Sequence, residues 1–228
     1  RPYLSIIYIG MGGIEDTWSY HCQNIGRAGT VSINDYTGNF TLVHDNMSTM
    51  GDVPIPLRHV YNANLKNIDC GYGLGWRTNC DQTIEPATIN GINYYIHTDQ
   101  NGAKSYYRQS SQLIYDNELN KELKLYYNGH ESRIEDKAGN CLWFCEGGFL
   151  TSICSKNKEI ISISRGKEGV IESVTDFLGR TATFIYSAGK LCSIDCSDGL
   201  DINYTYDSIG RLTGITYADN KTSSYGYD

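Results

Sequence analysis

Proline is scarce, at four residues in 228. That excludes collagen-like and other proline-rich architectures. No run of about eighteen apolar residues occurs, so no segment reads as a membrane-spanning helix. Positive charge is in deficit: 19 lysines and arginines against 26 aspartates and glutamates give a net charge of −7 and a pI near 5.2. Such a chain has no broad positive field for holding nucleic acid or an anionic membrane surface. No segment shows a helical period with caps, and Asn117 to Lys124 offers one or two turns at most. No basic n-region, apolar h-region and cleavage site follow Arg1, and the apolar Ile6 to Ile9 is too short for a secretion signal. What is present is 40% apolar and 20% charged residues, which excludes disorder and a coiled coil. With 19 tyrosines and 24 glycines, the composition fits many strands joined by tight turns.

An internal repeat organises the second half of the chain. Gly148-Phe149-Leu150-Thr151-Ser152-Ile153, Gly169-Val170-Ile171-Glu172-Ser173-Val174, Gly189-Lys190-Leu191-Cys192-Ser193-Ile194 and Gly210-Arg211-Leu212-Thr213-Gly214-Ile215 align without gaps. Each reads glycine, any residue, aliphatic, two small or polar residues, aliphatic. The glycines are 21, 20 and 21 residues apart, and a degenerate copy starts 19 residues earlier at Gly129. A second element is interleaved: Asp136-x-x-Gly139, Asp176-x-x-Gly179 and Asp207-x-x-Gly210. Here the aspartate accepts main-chain hydrogen bonds while glycine supplies a positive φ, which predicts hairpin turns. Tyr204 and Tyr206 precede Asp207 at spacing two, and Tyr225 and Tyr227 precede Asp228 in the same way. That spacing puts both rings on one face of a strand. A unit of about 21 residues thus holds two strands and two turns. It cannot bury its own apolar face, so the units stack edge to edge. The alternative is an ordinary β sandwich with chance spacing.

Residues 1 to about 125 lack the period. Strands are expected at Asn39 to His44, Ile55 to Tyr61, Gly91 to His97, Tyr106-Tyr107 and Leu123 to Tyr127. Turns are expected at Tyr36 to Asn39, Met50 to Asp52, Cys70 to Gly73 and Asp99 to Gly102. Pro54 and Pro56 favour an edge or a strand start around Ile55. Gly71, Gly73 and Gly75 lead into Trp76 and suggest a backbone pressed under a large aromatic. The fold class is all-β: an upstream β domain over 1–125, then stacked β-hairpins over 126–228.

The stretch from Tyr204 through Asp207, Gly210, Arg211 and Leu212 to Ile215 resembles the YD repeat of rearrangement-hotspot (Rhs) proteins. The upstream pieces around Gly38-Asn39, Arg58 with Tyr61-Asn62, and Gly75-Trp76-Arg77 resemble the domain that precedes those repeats. The resemblance covers roughly residues 30 to 228. It implies a hollow β shell, as in polymorphic toxins, Tc-toxin cocoons and teneurins. In bacterial members the shell encloses a carboxy-terminal toxin, and the proteins are extracellular or cell-wall associated. The partners it implies are the remaining repeats and an enclosed toxin of the same polypeptide. On this reading the chain is a segment of a longer polypeptide, the start of a shell whose last strand edge is unpaired.

The residues themselves offer no catalytic constellation. Cys141 and Cys145, and Cys192 and Cys196, are spaced four apart, with Cys22, Cys70, Cys80 and Cys154 left over. On a strand, spacing four separates sulfurs by about 13 Å, too far for one metal. Buried thiols packing as small apolar groups are favoured over disulfides and over zinc. His21, His44, His59, His97 and His130 are scattered, and a triad at His44 or His59 would need Ser48 or Ser5 nearby. One acid per turn is too few for calcium, and turns recurring along an edge do not converge as glycosidase acids must. No metal or cofactor is expected, and no enzyme. The function expected is enclosure by a structural shell segment. The rival is a carbohydrate-binding or adhesion module that uses exposed tyrosines on cell-surface glycans; a hydrolase is a third class.

Overall fold

The computed structural model describes residues 13–15, 18–47, 57–119, 122–157 and 160–228. Within them the chain is all-β, in two antiparallel sheets of 5 and 15 strands, neither of them closed. The smaller sheet runs in chain order through β1 (Tyr20–Asn24), β2 (Thr30–Asn34), β3 (Phe40–Met47), β4 (Leu57–Asn62) and β5 (Trp76–Thr78). The larger begins with β6 (Thr83–Ile89), β7 (Ile92–Thr98), β8 (Lys104–Ser111), β9 (Ile114–Asn117), β10 (Lys124–Tyr127), β11 (Ser132–Glu135) and β12 (Cys141–Phe144). It continues through β13 (Leu150–Cys154), β14 (Ile160–Arg165), β15 (Ile171–Thr175), β16 (Thr181–Ser187), β17 (Lys190–Cys196), β18 (Ile202–Tyr206), β19 (Leu212–Tyr217) and β20 (Thr222–Ser224). The strand order of the larger sheet follows the chain, and one further bridge joins Thr83 of β6 to Phe149. The aperiodic strands β6 to β9 therefore belong to the same sheet as the repeats.

Alternation of side chains dictates the two faces of the large sheet. Leu125, Ile134, Leu142, Ile153 and Ile161 lie opposite one another in register across β10 to β14. The row continues with Ile163, Val174 and Ala182, then with Phe184, Ile194 and Ile202. We call this the inner face; it holds the fully buried Leu125, Leu150, Ile171, Val174, Leu191, Ile194, Leu212 and Ile215. On the outer face Ser164, Ser173, Thr183 and Asp195 face one another. There Thr175 and Thr181 share a hydrogen bond of 3.1 Å, and Thr216 and Thr222 one of 3.0 Å. Each buried aliphatic contributes about 1.5–3 kcal/mol, so the inner face supplies the main driving force for the sheet.

Regularity extends to irregularities. The pairing shifts by a β-bulge at Trp143/Phe144, Ser164/Arg165, Ile185/Tyr186 and Thr205/Tyr206, once per repeat. A bulge increases local twist, so the repeats twist alike. Pro86 lies in β6, at one edge of the sheet, where a missing N–H leaves no ladder bond unmade.

Several sequence expectations shift by a few residues. The strand expected at Asn39 to His44 is Phe40–Met47, that at Gly91 to His97 is Ile92–Thr98, and Tyr106-Tyr107 sits inside Lys104–Ser111. Asn117 ends β9 and Lys124 begins β10, with no helix among the described residues between them. Pro54, Ile55, Pro56 and the Met50 to Asp52 turn lie outside the described residues, as do Ser5 and Ser48.

Candidate functional site

The feature with functional content is the inner face of the large sheet together with the turns along its edge. Each turn of the Asp-x-x-Gly kind is built the same way. The Gly210 N–H donates to the Asp207 carbonyl at 3.1 Å, and the Asp207 N–H donates to the Arg211 carbonyl at 3.0 Å. Asp176 with Gly179 and Arg180, and Asp136 with Gly139 and Asn140, repeat both bonds within 0.1 Å. Gly139, Gly179 and Gly210 have φ of +90°, +81° and +89°. The aspartate side chain finishes the turn. One oxygen of Asp207 accepts from the N–H groups of Ile209 and Arg211, and the other accepts from Arg211 Nε at 2.6 Å. Asp176 does the same with Leu178 and Arg180. Main-chain and guanidinium donors of Arg211 hold the Asp207 carboxyl below its ordinary range. At Asp176 burial pushes upward, but the Arg180 hydrogen bonds outweigh it and the carboxyl is lowered. These acids are ionised turn caps.

The tyrosine column ties one repeat to the previous one. The Tyr206 hydroxyl donates to the Leu191 carbonyl at 2.8 Å, and the Tyr227 hydroxyl donates to the Leu212 carbonyl at 2.7 Å. Arg165 occupies the same place two repeats before Tyr206, its Nε donating to the Leu150 carbonyl at 2.8 Å. In each case the tie reaches back fifteen residues. Sequence reasoning missed that Ile163-x-Arg165 and Phe184-x-Tyr186 belong to the column of Tyr204-x-Tyr206 and Tyr225-x-Tyr227. The signal was available, because these pairs step by 21, 20 and 21 residues just as the glycines do. Asp99-x-x-Gly102, expected as an isolated turn, has the same bond pattern, with the Gly102 N–H on the Asp99 carbonyl at 3.1 Å.

The smaller sheet lies over the inner face of the later strands. Its β4–β5 connection runs past successive repeats and bonds to their main chain. The Leu191 N–H donates to the Gly71 carbonyl at 2.8 Å, and the Leu74 N–H to the Gly210 carbonyl at 3.2 Å. After β5, the Leu150 N–H donates to Gln82 at 3.1 Å, the Ile84 N–H to Gly148 at 2.7 Å, and Arg165 Nη2 to the Cys80 carbonyl at 2.7 Å. Lys190 pairs with Asp69, and Arg27 pairs with Asp219 at 2.9 Å. Gly73 has φ +101°, and a Cβ there would sit 2.9 Å from the Leu212 nitrogen and 3.2 Å from the Tyr206 ring. A Cβ on Gly75 would sit 2.6 Å from the Tyr61 ring. The backbone of Gly73 and Gly75 is pressed against aromatics, but the rings are Tyr206 and Tyr61 and not the neighbouring Trp76, which points to the last repeats instead.

The upstream motif residues fall at this junction. Trp76 Nε1 donates to the Tyr227 hydroxyl at 2.8 Å, and its ring lies 5.0 Å from that of Tyr225. Asn62 accepts from Asn39 at 3.1 Å and donates to the Asn101 carbonyl at 3.0 Å. Arg77 is buried and donates to the Asp81 carbonyl at 2.6 Å. Gly38, with φ +72°, closes the β2–β3 turn, donating its N–H to the Asn34 carbonyl at 2.8 Å. Arg58 points outward to Asp45 at 2.6 Å and takes no part.

Histidines line the buried face of the small sheet. His44, His59 and Thr78 are opposite one another across β3, β4 and β5. The rings of His44 Nε2 and Nδ1 meet the hydroxyls of Tyr217 at 2.8 Å and Tyr225 at 2.9 Å. His59 contacts Asn46, and its ring lies 5.0 Å from that of Tyr204, tilted by 35°. Burial, helped by the neighbouring His44, pushes His59 down to about 3. Burial also lowers His44, against the Ala28 carbonyl that works to raise it. Thr41 Oγ1, Asn46 Oδ1, His59 Nε2, Thr78 Oγ1 and the Tyr204 hydroxyl find no hydrogen-bond partner among the described residues.

Further along the inner face, a cavity of about 690 Å³ is lined by Tyr107, Ile134, Leu142 and Ile153 together with Glu15, His97 and Asp99. The repeat tyrosines Tyr204, Tyr206, Tyr225 and Tyr227 all point inward and are buried or half-buried, Tyr204 to 6% exposure. Among the described residues the most open large aromatic is Tyr36, stacked 5.5 Å from Trp18 in the small sheet's periphery. The expectation of buried thiols holds for Cys80 alone: Cys22 and Cys70 are exposed, and Cys141, Cys145, Cys154, Cys192 and Cys196 are partly exposed, with Cys70 and Cys145 in turns and Cys141 and Cys154 on the outward side of their strands.

Residues 31–107 match a family described as a domain of unknown function (DUF6531). The match runs from β2 to β8, including the connection that fastens the two sheets, and stops before the periodic repeats. No curated protein matches the chain.

Proposed function

We infer that this chain is a wall segment of an Rhs/YD-repeat protein, a non-catalytic module whose task is to enclose or present a further part of the same polypeptide. One observation carries the reading: fifteen consecutive strands form a single open sheet with its apolar residues on one face and hydroxyl residues on the other. A sheet so built separates two environments. The strand edge of β20 is unpaired among the described residues, so another hairpin of the same kind can add to it. The repeat acids Asp136, Asp176 and Asp207 cap turns, and the repeat tyrosines Tyr204, Tyr206, Tyr225 and Tyr227 face the interior, which favours a wall over a hydrolase or a sugar-binding ladder. A secreted or cell-surface setting, with the enclosed part as effector, follows from the resemblance of the repeat motifs.

The test is limited proteolysis of the polypeptide encoded by the full reading frame. The region downstream of the repeats should be cleaved at least tenfold more slowly than the same region expressed alone. Deleting 126–228 should abolish that protection. Equal cleavage rates with and without the repeats would overturn enclosure.

A further inference from the structure

We propose that Cys141 and Cys154 are a disulfide-forming pair that clamps the β12–β13 hairpin when the chain meets a small-molecule disulfide. The two residues are directly opposite in adjacent antiparallel strands. Both alternate with the inner residues Leu142 and Ile153, so both lie on the outer side of the sheet, and both are partly exposed. Directly opposed residues place their Cβ atoms about 4.5–5.5 Å apart, and a disulfide needs about 3.5–4.5 Å, a gap closed by rotamer and small backbone adjustment. The two side chains are close enough for each thiol to influence the other's proton. No other two cysteines oppose each other in the strand registers: Cys22 faces Ser32 and Cys196 faces Ala182. The pairs suggested by sequence spacing, Cys141 with Cys145 and Cys192 with Cys196, are not the pair that the register brings together.

The chemistry is thiol–disulfide exchange. One cysteine thiolate attacks the small disulfide, forming a mixed disulfide and releasing one small thiol. The second thiolate then attacks the protein sulfur of that mixed disulfide and expels the other small thiol. Two protein thiols are oxidised, their two protons pass to solvent or to the released thiolates, and the small disulfide takes the two electrons. Burial and the adjoining Cys154 raise the Cys141 thiol, which keeps the thiolate fraction low at neutral pH and suits a slow structural bond. The pairing needs only the β12–β13 register and stands apart from the reading of the chain as a wall.

The experiment treats the purified chain with oxidised glutathione at about pH 8, alkylates remaining thiols in denaturant, and digests with trypsin and a glutamate-specific protease. Cleavage after Lys137, Glu146 and Lys156 separates the two cysteines into different peptides. The expected product links 138–146 to 147–156 through Cys141 and Cys154, with Cys145 alkylated. In C154S the same treatment should leave glutathione on Cys141. The oxidised parent should melt roughly 5 °C higher than the reduced parent, and oxidation should leave the C141S/C154S melt unmoved. Linkage of Cys154 to Cys145, full alkylation of both residues, or a bond that forms without raising the melt would each overturn the proposal.

Discussion

The two sheets bury different chemistry. The inner face of the large sheet is aliphatic and repeats itself, with Leu150, Ile171, Leu191 and Leu212 in equivalent places and each fully buried. The face of the small sheet turned to the wall is mixed: the polar His44, Asn46, His59 and Thr78 lie on it beside Leu42, Leu57 and Trp76, all of them 5% exposed or less. Aliphatic burial is non-directional, so one unit can follow another without specifying how many there are. A buried polar network is costly unless its partners are in place, and it therefore selects one position and one orientation. The small sheet is thus fixed at a single location on the wall, while the wall can be extended. The unmatched polar atoms around His59 are the part of that network most sensitive to displacement.

The largest effect should come from the repeated core. Leu191→Ala and Leu212→Ala should each lower stability by about 3 kcal/mol in urea unfolding, through lost transfer energy plus the cavity left behind. Because the two leucines occupy equivalent sites, their costs should agree to within about 1 kcal/mol. A large cost at one and almost none at the other would show that the repetition stops at the sequence and does not extend to packing.

Acid should act next most strongly, and it touches both sheets. Burial pushes His59 down to about 3 in the small sheet and His97 down to about 4 in the large one. Both bind their proton first in the unfolded chain, near pH 6.5. Their stability contribution is therefore complete above that value and is lost as pH falls toward 4 and 3. At pH 5 each should cost about 2 kcal/mol relative to pH 7.5. Asp99 works the other way. Burial raises it to about 6, so the folded chain binds that proton first and part of the loss is offset as pH drops through 6. Urea unfolding at the two pH values should show the parent clearly weaker in acid, and His97→Gln should lose about 2 kcal/mol less than the parent. A His97→Gln variant more stable at pH 5 than at pH 7.5 would mean that His59 is not buried under the large sheet.

Much of the wall was legible because its determinants are local. The Asp-x-x-Gly turns need only an aspartate to cap two N–H groups and a glycine with positive φ, and both requirements are written within five residues. Tyr204 and Tyr206 share a face because spacing two on a strand demands it. What the sequence concealed depends on contacts far apart along the chain. Arg165 replaces a tyrosine because the tie asks only for a long side chain with a donor at its end, which conservation of residue type would never show within one chain. Strands β6 to β9 extend the sheet without the period, since edge pairing is satisfied by alternation and turn geometry alone. The fastening of Gly71 and Leu74 to Leu191 and Gly210 spans more than a hundred residues, and nothing local to Gly71 names its partner. Cys141 meets Cys154 through the register of a bulged hairpin, which spacing within one strand cannot reveal.

The smallest of these effects concerns the turns and separates the two regions most cleanly. A Cβ at Gly210 would meet only the end of the Lys190 side chain, at 3.1 and 3.3 Å. That flexible end can move, so the penalty is the backbone's own, for an L residue held at φ +89°. Gly210→Val should therefore cost about 2 kcal/mol, the β-branch adding to the usual left-handed penalty. At Gly73 the obstacle is the main chain of Leu212 as well as a φ of +101°. Neither backbone can yield without lifting the small sheet from the wall, so Gly73→Ala should exceed Gly210→Ala by at least about 1 kcal/mol despite identical chemistry. Thermal unfolding of the three variants against the parent decides the matter. Equal losses for the two alanine variants would mean that the small sheet rests on the wall loosely, and that the polar network, rather than close main-chain contact, sets its position.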